Sequence, residues 1–217
     1  MEVRLDSPFP VEALPRVWGW MDSFRDRVSD DFGPKDLDEF VRLMVERSAS
    51  PGFKSWAVST EGELGGLISF EKLSPWLGTA HCLFKPSFQG RRGGLTLRAC
   101  RSAVGEMFTT GIGKLAFYPL AGNLAVGNLI VMLGGSREGV LKGHTLSGGE
   151  PVDVWMYGLT KESFEHASSD SAIHSSDHRS GGISSGLGTV EPAEDGHEHQ
   201  RADVQPGAAA AHGTADR

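Results

Sequence analysis

The chain has 217 residues, 39% of them hydrophobic, and a formal net charge of −7. That is enough apolar material for one real core, and the acidic balance argues against a general nucleic-acid binder. No apolar run approaches bilayer length, and the opening "MEVRLDSPFP" lacks a basic-then-apolar leader pattern. A cytoplasmic chain with no membrane partner is the expectation.

In chain order, "LPRVWGWM" reads as a first short helix. In "GPKDLDEFVRLMVERSAS", Leu37, Phe40, Val41, Met44 and Val45 recur at helical spacing. Asp36 and Asp38 occupy its first turn, where acidic groups suit exposed amides, and "SPG" at 50–52 ends it. The period then changes. Residues 54–60 alternate as a strand, "EGE" turns, and 64–73 returns, which makes a hairpin. "TAHCLF" at 79–84 reads as a third strand and "GGLTLRACRSAVGEMF" as a helix stopped by "GIGK". Residues 115–120 read as a strand and 123–135 as a short apolar helix. "SREGVLKG" follows, then a turn at "SGGE" and a final strand at 152–159. Helices, a three-strand meander, then alternating elements imply an α/β fold with a mixed sheet.

Composition breaks near residue 166. The segment 166–217 has no Phe, Trp or Tyr, and carries eight acidic against three basic residues. Such a segment buries too little apolar surface to offset its ordering entropy, so it is expected to be a disordered tail behind a folded domain at 1–165. Six of the eight histidines lie in it, in patterns such as "HSSDH" and "HEH", without a scaffold to hold a metal. No metal site is expected. Two cysteines, Cys82 and Cys100, match no disulfide framework or zinc spacing and read as buried free thiols.

One stretch carries chemistry. Between the strand at 79–84 and the next helix lies Gln89-Gly90-Arg91-Arg92-Gly93-Gly94. A helix start offers unpaired amides and a positive dipole end, and glycines let backbone approach an anion closely. Arginines add charge-assisted contacts. The stretch lacks GxxxxGK[ST] and GxGxxG, so neither a nucleotide-hydrolysing loop nor a dinucleotide fingerprint is present. An anion nest and a basic surface turn both remain open on these residues alone.

Taken together over residues 1–165, these motifs resemble the GCN5-related N-acetyltransferases (GNAT), in style the branch acting on ribosomal-protein N-termini and small amines. The family's Gln/Arg-x-x-Gly-x-Gly/Ala loop is matched at Gln89 and Gly94, with Arg92 where glycine is usual and Gly93 one place later. The asparagine that opens the next helix is matched by Asn123, and "VDVWMYGLTKESF" resembles the last strand and its ending. The resemblance implies a mostly antiparallel central sheet with a V-shaped splay between the strands at 79–85 and 115–120, flanked by helices. It implies acetyl-coenzyme A as co-substrate and no metal. Its pantetheine would lie along Leu83, Phe84 and Lys85, its diphosphate on residues 90–94, and Asn123 would orient the arm or the adjacent strand. It implies direct transfer through a tetrahedral intermediate to a primary amine, from a small molecule or a protein N-terminus, by a monomer or homodimer.

Transfer to an amine needs a base, a polarised carbonyl and a departing thiolate. His81 and Glu71 are the candidate bases, and Tyr118 the candidate acid. Relatives often place a tyrosine seven residues after the helix asparagine, and here that residue is Ile130; Gly135 stands where Phe is common. Two further readings therefore stay open: a cofactor-binding GNAT-fold protein with little or no activity, and an unrelated α/β interaction module.

Overall fold

The computed structural model describes residues 2–23, 25, 30–88 and 94–176, with side chains up to Ser169. The expectations for Gln89, Gly90, Arg91, Arg92 and Gly93, and for 177–217, lie outside the described residues.

Seven strands form one sheet: β1 (Arg4–Asp6), β2 (Phe53–Thr60), β3 (Glu63–Lys72), β4 (Leu77–Phe84), β5 (Lys114–Phe117), β6 (Ser136–Ser147) and β7 (Glu150–Thr160). Their order is β1-β2-β3-β4-β5-β7-β6. Only the β4–β5 contact is parallel; the other pairings are antiparallel. Among the described residues five α-helices accompany the sheet: α1 (Leu14–Asp22), α2 (Leu37–Ser48), α3 (Leu95–Thr109), α4 (Leu124–Met132) and α5 (Lys161–Ser176).

Local chemistry places these elements. Asp36 caps α2 by accepting the Glu39 amide at 2.8 Å, while the Glu39 carboxylate accepts the Lys35 amide at 2.9 Å. Phe40 and Met44 face inward at helical spacing. Alternation along the strands then divides the core. Ile68, Phe70, Phe84 and the apolar faces of α3 and α4 form one cluster. Leu67 and Ala57, with α1 and α2, form a second on the other face of the sheet. Between β3 and the chain after β4, glycine makes room: a side chain on Gly65 or Gly66 would strike the rings of Phe88 or Phe84.

Several boundaries differ from the sequence expectation. The edge strands β1 and β6 carry no clean alternation, because each is covered on one side only and is held mainly by backbone bonds. The strand expected at 115–120 ends at Phe117, and Leu120 keeps only an isolated bridge to Val154. The boundary expected at 165 falls inside α5, which runs to Ser176. Phe164 anchors this helix against Phe108, ring centroids 5.5 Å apart. Beyond it, Ser168 and Ser169 hydroxyls donate back to the carbonyls of Phe164 and Glu165, at 2.8 and 3.0 Å.

Candidate functional site: the wedge between two parallel strands

β4 and β5 pair at only three positions, Leu77–Lys114, Gly78–Leu115 and Thr79–Ala116. After that each strand keeps one neighbour and drops the other. β4 stays with β3, down to the Lys85 amide donating to Gly65 at 2.9 Å. The chain after β5 stays with β7: Trp155 donates to the Pro119 carbonyl at 2.9 Å and Ala121 to Asp153 at 2.8 Å. The sheet opens as a V.

Antiparallel register decides which groups of β4 face that opening. The Lys85 amide bonds β3, so Leu83 and His81, at the same phase, also turn their backbone groups to β3. Ala80, Cys82 and Phe84 are in the opposite phase and turn theirs toward the wedge. Among the residues expected along pantetheine, Phe84 thus presents backbone to the opening, and Cys82 joins it. Lys85 also pairs its ammonium with Glu63.

A cavity of about 490 Å³ occupies the wedge and reaches both faces of the sheet. On one face its wall includes Ile68, Cys82, Cys100, Leu129 and Ile130; on the other Met21, Leu43, Arg47, His81 and Leu83. Phe117, Tyr118, Pro119 and Asn123 line it from the β5 side. The wall is mostly apolar with few polar groups, the usual composition of a small-molecule site.

His81 keeps an open surface that lines this cavity. Crowding by the cavity wall costs its imidazolium hydration, and with the nearby Arg47 charge this holds its pKa below the ordinary value; Glu71 pulls the other way. Glu71 pairs with Thr79 and lies diagonally from His81 on the same sheet face. It does not line the cavity itself. Of the two tyrosines, Tyr118 lines the wall and is 48% exposed, whereas Tyr157 is buried with its hydroxyl against Gly127. Ile130, the position at which the family resemblance suggests a tyrosine, is buried on the wall.

One helix begins at the wedge. Asn123 caps α4, its Oδ1 accepting the Val126 amide at 3.3 Å. Gly94 precedes α3 in the left-handed region at φ 74°, which favours glycine, and its carbonyl accepts the Arg98 amide at 2.8 Å. It is the one described residue of the expected anion loop.

Sequence reading missed the place of five residues in this wall. Asp30 and Phe32 belong to a segment, 30–34, that lines the cavity and is tied to the β6–β7 hairpin. Arg47 reads in sequence only as a basic last turn of α2. Cys82 and Cys100 meet on the wall: their hydrogen bond lowers the Cys82 pKa, and that bond with burial pushes Cys100 well up.

A mixed sheet opened between its fourth and fifth strands, with a helix launched beside the opening, is the fold of the GCN5-related N-acetyltransferases. Solved structures of that fold superpose on this chain. Mycobacterium smegmatis RimJ in complex with CoA-disulfide is 15% identical, with 78% of this chain and 89% of that one covered and a TM-score of 0.66. The Vibrio cholerae spermidine N-acetyltransferase in complex with CoA and spermine is 15% identical, with 75% and 98% covered and a TM-score of 0.65. No family model and no curated protein matches the chain.

Proposed function

We propose that the chain transfers the acetyl group of acetyl-coenzyme A to a primary amine, by direct attack of the amine. The observation that carries this is the wedge between β4 and β5, with one cavity reaching both faces of the sheet. A thioester arm entering from one face and an amine from the other would meet there without crossing a solid sheet.

The residues present fit such a co-substrate. Backbone of Cys82 and Phe84 turns into the wedge, and Gly94 starts α3 in a conformation that suits a close phosphate approach. Gln89, Gly90, Arg91, Arg92 and Gly93 would complete the diphosphate nest, with Leu83, Phe84 and Lys85 along the arm and Asn123 beside it. When bound, acetyl-coenzyme A supplies the activated acyl group. His81 takes the amine proton: its depressed pKa keeps the imidazole neutral at physiological pH. Glu71 acts through His81, favouring the charged form that results. The Cys82 amide, turned into the wedge, would donate to the carbonyl oxygen as charge develops on it. Tyr118, which lines the wall, would protonate the departing thiolate.

The acceptor is a small amine or a protein N-terminus. The relatives' names support amine acetylation: one such solved structure holds spermine and CoA together. Calorimetry with acetyl-coenzyme A, then thiol release across an amine panel, tests the proposal. Binding with turnover is expected; no heat and no melting shift would sink it. Ile130, apolar and buried on the cavity wall, favours one alternative, a GNAT-fold protein that binds the cofactor but barely turns over. Binding without thiol release for any amine identifies that case.

A further inference from the structure

Resting on the acetyl-transfer reading, we propose that the acceptor is a small amine that also carries a carboxylate, and that Arg47 binds this carboxylate.

Charge on the cavity wall leads there. Among the described residues, the ionisable wall groups other than the thiols and Tyr118 are Asp30, Arg47 and His81. Asp30 is spent on structure: its Oδ1 accepts the Phe32 amide at 3.1 Å and its Oδ2 the Thr145 hydroxyl at 2.6 Å. His81 is held toward its neutral form by the cavity wall and by Arg47 itself. That leaves Arg47 as the charged wall group whose side chain has no bonded partner among the described residues. Arg47 has no ion pair and no side-chain hydrogen bond among the described residues. Its neighbour Arg42, on the same helix, pairs with Glu39 at 3.8 Å and Glu46 at 3.5 Å. The sequence therefore supplies carboxylates to the arginine that faces outward and none to the one at the cavity.

Arg47 is half-buried, so part of its hydration is already lost. A planar guanidinium held this way gains most from a carboxylate that can meet it with two parallel bonds. Its position in the last turn of α2 also suits the helix's negative end, but that role needs neither a cavity wall nor a forked donor. A polyamine fits this wall poorly. It would meet one carboxylate already engaged and one guanidinium that repels it. The volume of about 490 Å³, shared with the end of the pantetheine arm, suits an acceptor of amino-acid size. His81, close enough to feel the Arg47 charge, would then face the amine of the same molecule.

The test uses the full chain in two arms. In the first, N-acetyl-L-leucine and N-acetyl-L-leucinamide are titrated into the CoA-loaded protein by calorimetry. In the second, kcat/KM is measured for leucine, phenylalanine and glutamate, for the corresponding α-carboxamides, and for spermidine. Acids should exceed amides by about 10- to 100-fold in both arms, the range of a charge-assisted bond. Arg47→Met should erase that preference in both arms, and Arg47→Lys should retain part of it. Amides or spermidine used as well as acids, or a preference that survives Arg47→Met in a variant with unchanged circular dichroism, overturns the inference and leaves acetyl transfer standing. Absence of acetyl-coenzyme A binding overturns the function instead, and the first arm, repeated without CoA, still reports whether Arg47 selects a carboxylate.

Discussion

On the proposed function, with the acceptor bound on the wall that holds Arg47 and the 30–34 segment, Asp31→Ala should loosen the acceptor's side of the cavity and spare the cofactor's. The Asp31 carboxylate accepts both amides of the β6–β7 turn, Gly148 at 2.9 Å and Gly149 at 2.8 Å. Two other bonds tie the same segment to that hairpin: Asp31 amide to Leu146 carbonyl at 2.9 Å, and Thr145 hydroxyl to Asp30 at 2.6 Å. The substitution removes two bonds of four. At about 1 kcal/mol for each exposed bond, the segment loses about 2 kcal/mol of its attachment. One factor of ten costs about 1.4 kcal/mol, so acceptor kcat/KM should fall by up to about 30-fold, expressed in the acceptor's KM. Hydrogen exchange supplies the direct reading: amides of Gly148 and Gly149 should lose protection while those of β3 and β4 keep theirs. A KM for acetyl-coenzyme A that rises in parallel with the acceptor's, or unchanged exchange at the turn, would refute the assignment of 30–34 to the acceptor wall.

Gly94→Glu should weaken acetyl-coenzyme A binding by more than about tenfold in calorimetry. It sets a side chain at φ 74°, costing about 1–2 kcal/mol, and adds an anion beside the expected diphosphate. Alkylation by iodoacetamide, followed by mass spectrometry, should label Cys82 ahead of Cys100, because their hydrogen bond favours the Cys82 thiolate and burial disfavours that of Cys100. Saturating acetyl-coenzyme A should protect Cys82, which lines the cavity. Ending the chain after Ser176 should leave melting and cofactor binding unchanged, whereas Phe164→Ala should cost about 3 kcal/mol in urea denaturation, since the ring is 8% exposed and packed on Phe108.

What sequence could show depended on the range of the contacts. The apolar spacing of α2 and the β2–β3 alternation are local patterns, and both elements stand where those patterns put them. The wedge was legible only through family resemblance, since it depends on β4 and β5 exchanging neighbours after Thr79 and Ala116. The wall formed by Arg47 and the 30–34 segment was not legible. Asp31 reads as one acid in a polar loop; its partner amide at Gly149 lies 118 residues away. Nothing local marks Arg47, in the last turn of α2, as a residue of the cavity wall, since that wall is assembled only in three dimensions. α5 was missed because its second half is Ser-rich, and one aromatic, Phe164, supplies its tertiary anchor.

The pairing of Arg47 with His81 has a consequence for pH dependence. In the free protein the guanidinium lowers the imidazole's pKa, below an ordinary value of about 6.5. A carboxylate bound on Arg47 cancels that charge, so the imidazole becomes a stronger base when the acceptor is in place. The acidic limb of kcat/KM reports the free protein and that of kcat the complex. Activity needs neutral His81, so both rates should fall as pH drops through their respective pKa values. The kcat limb should lie at higher pH than the kcat/KM limb. Arg47→Met removes the cation from both states, so the kcat/KM limb should move up and the gap should close. Glu71→Gln should move both limbs down, since Glu71 favours the charged imidazole. A chain in which His81→Gln leaves the acidic limb in place has another base. One in which the limb persists but ignores Arg47 has no coupling between acceptor binding and the base.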